Sequence, residues 1–94
     1  MNRRSDGVTA AAAWMAAELE RRGGILEQHV AVFEVRQRFG PECAYINDSG
    51  NLALARPVLT EFRRLTEGTV VWDASSRLWR KRAHHDSKGR RVED

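Results

Sequence analysis

Apolar residues recur along this chain at two different periods. Val8, Ala12, Met15 and Leu19 fall at i, i+4, i+7 and i+11, a spacing that stacks side chains on one face of an α-helix. The pattern predicts a first helix over Val8–Arg22, capped by Asp6 or Thr9 and ended by Gly23-Gly24. Four successive alanines, Ala10 to Ala13, favour the helix and let a neighbouring helix come close. Trp14 lies at the edge of the stripe. Val30, Val32, Phe33, Val35 and Phe39 form the broad apolar face of a second helix over Glu27–Phe39, closed by Gly40-Pro41. Between these helices, Gly24–Leu26 has the length of a minimal strand. Val58, Phe62 and Leu65, with Leu59 beside them, predict a third helix over Pro57–Glu67. Proline suits its first position because the missing N–H has no helical partner there. Arg56, Thr60, Arg63 and Glu67 lie on the opposite side of that helix, with Arg64 close to them.

After Gly68 the period drops to two. The segment Thr69–Arg82, TVVWDASSRLWRKR, predicts a β-hairpin whose two arms each carry a Trp around the turn Asp73-Ala74-Ser75-Ser76. With Trp72 opposite Arg77 and Val70 opposite Trp79, both Trp rings share a face and anchor the hairpin on the helices. Residues 42–54 connect the second and third helices. Tyr45-Ile46 and Leu52 to Leu54 flank the turn signal Asn47-Asp48-Ser49-Gly50-Asn51, so a small hairpin or ordered loop is expected there. This connector exceeds the three or four residues of a minimal helix-turn-helix. The whole order implies an α+β, winged helix-turn-helix-like domain over residues 8–82, with three helices and a small antiparallel hairpin. Residues 1–7 and 83–94 read as flexible termini. The same elements without a DNA-reading helix are the alternative architecture, and no internal repeat is evident.

The run from Phe39 to Arg82 resembles a family of small, uncharacterised bacterial proteins. The resemblance is carried by Phe39-Gly40, by Tyr45 and Asn47 before Gly50-Asn51, by Phe62-Arg63, Leu65-Thr66, and by Val71-Trp72 with Trp79-Arg80. It extends over most of residues 12–90. It implies one compact domain and brings no activity with it. Ala55 departs from the pattern, since a polar capping residue is usual before the third helix.

Composition narrows the function classes. The chain has 94 residues, 41% of them hydrophobic and 31% charged, with a net charge of +3. That length fits one small domain that must use nearly all of its large apolar side chains for its core. The basic residues gather late. Arg77, Arg80, Lys81, Arg82, Lys88, Arg90 and Arg91 face one acid, Asp86, over the same span. Such a segment attracts phosphate or an acidic partner, or is simply a solvated charged tail. A single cysteine, Cys43, excludes an internal disulfide framework and a cysteine-rich zinc site. The Ala-rich stretch near the N-terminus is broken by Glu18 and Glu20, which argues against a signal peptide or membrane span. A cytoplasmic location is expected.

The candidate chemistry is recognition. In a helix-turn-helix the recognition helix enters the major groove, where arginine can pair with guanine edges. Arg56, Thr60, Arg63 and Arg64 are the available side chains, and Arg77, Arg80, Lys81 and Arg82 of the hairpin would follow phosphate. Glu61 and Glu67 oppose this reading. The alternative is a non-catalytic protein-interaction module, as a homodimer through the Ala-rich helix or with an acidic partner. His84-His85-Asp86 is too local to define metal geometry, and His29 is isolated. Ser75 and Ser76 beside Asp73 read as turn residues. Cys43 reads as a small buried side chain, and Glu18, Glu20 and Glu34 as exposed helix positions. Neither a catalytic centre nor a cofactor is expected.

Overall fold

The two periodicities become helices packed on a small sheet. A computed structural model describes residues 3–83 and 91–92, with side chains described from residue 7 to 83. The chain forms α1 (Arg3–Arg21), β1 (Ile25–Glu27), α2 (Gln28–Phe39), β2 (Ala44–Ile46), β3 (Leu52–Leu54), α3 (Arg56–Leu65), β4 (Val70–Asp73), β5 (Leu78–Lys81) and β6 (Arg91–Val92). The architecture is α+β. One sheet runs in the order β1-β5-β4-β6, antiparallel except for the β4–β6 pair, and β2-β3 form a separate antiparallel hairpin. The helix of the N-terminal segment begins at Arg3, ahead of the first stripe residue, Val8.

The stripe of α1 is buried as its spacing requires. Ala11, Ala12, Met15 and Leu19 are sealed from solvent, and α1 packs most extensively on α3. The small alanines allow that approach. From α3, Val58 and Phe62 enter the core, and the edge of Phe62 meets the ring of Trp79 at 5.4 Å between centroids and 71° between planes. Trp79 lies directly opposite Trp72 on β4, with ring centroids 5.0 Å apart. Leu26 of β1 pairs with Trp79 from the other side. One sheet face therefore carries Leu26, Trp79 and Trp72 in a row against the helices, because side chains opposite each other across a ladder share a face.

Several local expectations change. Trp72 opposes Trp79, so the hairpin register is shifted from the expected pairing of Trp72 with Arg77. The cause is the turn. Asp73 pairs with Leu78, which leaves Ala74 to Arg77 as a four-residue loop instead of Asp73 to Ser76. Both Trp rings still share a face, since a shift of two residues preserves side-chain orientation. Leu65 is 43% exposed and Phe33 54% exposed, so neither belongs to the core face assigned to it. Leu65 is the last residue of α3. The connector forms the β2–β3 hairpin, closed by the Asn47 side chain, which accepts the N–H groups of Ser49 and Asn51 at 3.0 Å each. No side chain caps α3 at Ala55. Its N–H instead donates to the Cys43 carbonyl at 2.9 Å, tying the start of the helix to the connector.

Glycine is needed where β1 meets β5. Gly24 has a φ of +92°, and a Cβ there would lie 2.9 Å from Cγ of Lys81. Its carbonyl accepts the Lys81 N–H at 2.9 Å, so the close approach continues the sheet into the α1–β1 turn.

Candidate nucleic-acid interface

The face of α3 opposite Val58 and Phe62 displays Arg56, Thr60 and Arg63, which are exposed and spaced i, i+4, i+7. Their exposure follows from the burial of the other face against α1. Among the described residues neither Arg56 nor Arg63 has an acidic partner. Arg64 differs. Its Nε and Nη2 donate to the two carboxylate oxygens of Glu61 at 3.0 and 2.5 Å. Those hydrogen bonds hold the Glu61 carboxyl below its ordinary range and raise the pKa of the Arg64 guanidinium further. The pair is one turn apart on the same helix, so Arg64 presents a largely neutralised group.

On the hairpin, Lys81 Nζ lies 2.5 Å from Glu20 Oε2 of α1. Arg80 Nε lies 3.6 Å from Asp73 Oδ2 across the ladder. The Asp73 carboxyl is held below its usual value first by the Ser76 N–H, at 3.3 Å, then by the Ser75 hydroxyl, at 3.0 Å, with Arg80 adding to both. Ser75 and Ser76 thus stabilise the turn, as their position beside Asp73 suggests. Arg82 is half-buried, and its backbone N–H donates to the Thr69 carbonyl at 2.9 Å. Of the eight side chains singled out in the sequence, Arg56, Thr60 and Arg63 come together as one exposed stripe. Arg77 stands at the hairpin tip. Arg64, Arg80 and Lys81 are engaged with acids.

Arg77 is exposed and takes a φ of 53°, the only non-glycine at positive φ among the described residues. Its carbonyl accepts the N–H of Gln28 at 3.0 Å, satisfying an amide that the first turn of α2 cannot pair internally. This contact holds the hairpin tip beside α2. A cleft of about 410 Å³ opens there. Val32, Phe33 and Leu52 supply its apolar wall, and Gln28, His29, Asn51 and Arg77 its polar rim. None of these cleft residues except Arg77 follows from the sequence as a site. Asn51 is separated from His29 by more than twenty positions, and only the folding of β2–β3 against α2 joins them.

Two other sequence expectations resolve here. Glu18 is buried, not exposed, and Arg21 and Arg22 of its own helix both close on its carboxylate. Their hydrogen bonds, Arg21 first, lower its pKa from the ordinary value of 4.5 despite burial. Cys43 is fully buried, and desolvation pushes its thiol above the ordinary value. His84, His85 and Asp86 lie outside the described residues. Among the described residues, no three His, Cys, Asp or Glu side chains converge to hold a metal ion, and no helix is long and apolar enough to cross a membrane.

Comparison with known sequences gives one family model, the Family of unknown function DUF6953, which matches residues 8–81. Neither the curated proteins nor the solved structures contain a match to the chain.

Proposed function

The chain belongs to the DUF6953 family of unknown function over residues 8–81, and from that premise we propose that it is a winged-helix domain that binds double-stranded DNA. The observation that carries the reading is the exposed stripe Arg56, Thr60 and Arg63, free of acidic partners among the described residues, on a helix clamped from behind. A recognition helix needs both properties, because base-edge contacts require protruding side chains on a rigid support. The sheet order supports the same reading. The strand between α1 and α2 pairs with the second arm of the hairpin, so hairpin and helices form one unit. The β2–β3 hairpin would then replace the short turn between the second and recognition helices. Arg77 supplies the phosphate contact at the wing tip. Arg82 is a further candidate at the end of the second arm. Arg64, Arg80 and Lys81 contribute less, since binding phosphate must first release Glu61, Asp73 or Glu20. No catalytic step or cofactor is part of this function.

Fluorescence anisotropy on a labelled duplex tests the proposal. Replacing Arg56, Arg63 and Arg77 together by Gln is expected to weaken binding at low salt by at least about tenfold, through lost phosphate and base contacts. Lys81→Gln alone is expected to change it little. Unaltered affinity in the triple variant would refute the assignment of these residues.

A docking function, with a second copy or another protein, is favoured by one separate observation. Phe33, Tyr45 and Ile46 on α2 and β2 are each 45–58% exposed. Exposed aromatic and aliphatic side chains on a small domain are candidates for protein contacts. Light scattering that returns the mass of one chain at high concentration would count against the homodimer.

A further inference from the structure

The cleft between α2, the β2–β3 hairpin and the tip of the β4–β5 hairpin has the composition of a ligand site. We propose that it binds a small planar aromatic carboxylate.

Its size of about 410 Å³ falls within the range of small-molecule pockets. Its three walls are fixed before any ligand arrives. The Gln28 N–H to Arg77 carbonyl bond, at 3.0 Å, ties the hairpin tip to α2. The Asn47 side chain, bonded to the Ser49 and Asn51 amides, fixes the loop that carries Asn51 and Leu52. Such preorganisation lowers the ordering cost of binding.

The lining chemistry selects the ligand. Phe33, 54% exposed, together with Val32 and Leu52 offers an apolar surface onto which a flat ring can stack. Arg77 is the one cation with a permanent charge on the rim, and no lining residue is an acid. Among the described residues no carboxylate pairs with its guanidinium, whose planar fork matches a carboxylate in bidentate fashion. One guanidinium with neutral amides at Gln28 and Asn51 balances a single negative charge. A phosphate dianion would be better matched by a second permanent cation, and no other arginine or lysine lines the rim. The backbone of Arg77 adds an independent observation. A left-handed conformation is unfavourable for a non-glycine residue, and glycine would relieve it. Strain retained at the mouth of a cleft is explained when the side chain has a task there.

This site does not depend on the DNA reading, because binding is measured on the free protein. The test is a titration of the ¹⁵N-labelled chain with indole-3-carboxylate, followed by amide chemical shifts. Indole supplies the ring without the charge, and acetate the charge without the ring. Binding with Kd on the order of 0.1–1 mM is expected for a ligand of this size. The shifts should centre on Gln28, His29, Phe33, Asn51, Leu52 and Arg77, with indole and acetate each at least about tenfold weaker. Arg77→Gly preserves the turn, since glycine takes positive φ readily, and should weaken binding at least about tenfold. Phe33→Ala, at an exposed position, should weaken it severalfold while leaving the rest of the spectrum in place. The proposal is overturned by shifts centred elsewhere, by equal responses to indole and its carboxylate, by unchanged affinity in Arg77→Gly, or by no response up to about 10 mM.

Discussion

Glu18 shows how far a residue's role depends on its neighbours. It occupies a helix position that composition alone would leave in solvent, yet it is buried with two arginines closed on it. The arginines three and four positions later were in plain view in the sequence. What was hidden was that Leu19 and Met15 carry that side of α1 into the core and draw Glu18 with them. The ion pairing sets a pH dependence. Its folded pKa is below the ordinary 4.5, so the stabilisation is fully present above that value and is lost as pH falls through the depressed folded value. Glu18→Gln should therefore be less stable than the native chain near neutral pH, and the gap should close in acid below the ordinary carboxylate range. Urea unfolding of both proteins at a series of pH values checks this. A gap that stays constant would show that the carboxylate charge contributes nothing.

At the scale of elements, the helices were legible because their buried faces follow one strict period. Three of the four α1 stripe residues, Ala12, Met15 and Leu19, are fully buried, as are Val58 and Phe62 of α3. The hairpin was legible in its faces but not in its register. Alternation fixes which side chains share a face, whereas the pairing depends on the loop, and Arg77 at positive φ moves that loop one residue along the chain by a conformation arginine rarely adopts. Phe33 was misassigned for a related reason. Its spacing from Val30 suits a buried face, but β2–β3 covers the neighbouring side of α2 and leaves Phe33 at the cleft. The Phe62–Trp79 contact joins helix to hairpin, so its loss should be costly. Phe62→Ala is expected to destabilise the domain by about 3–5 kcal/mol, while Phe33→Ala should stay within about 0.5 kcal/mol. Urea denaturation compares the two. Similar small effects would mean that α3 does not hold the hairpin through this ring.

Across the whole molecule, a charge balance of +3 conceals a division among the basic side chains. Sequence reasoning found the positions but not their partners, since Glu20 reaches Lys81 only after α1 and β5 are brought together. The fold thereby separates arginines held by acids from those left to solvent. Among the described residues, Arg56, Arg63 and Arg77 are the exposed arginines with no acidic partner, on the outer face of α3 and at the hairpin tip. Their count gives the DNA proposal a quantitative form. Three phosphates neutralised by these side chains correspond to a slope of log affinity against log salt of about −2.7. The decisive measurement is duplex affinity over a salt series for the native chain and for the variant with Arg56, Arg63 and Arg77 changed to Gln. The account predicts a slope between about −2 and −3 that moves toward zero in the variant; no binding at low salt, or a slope unchanged by the substitutions, would contradict it.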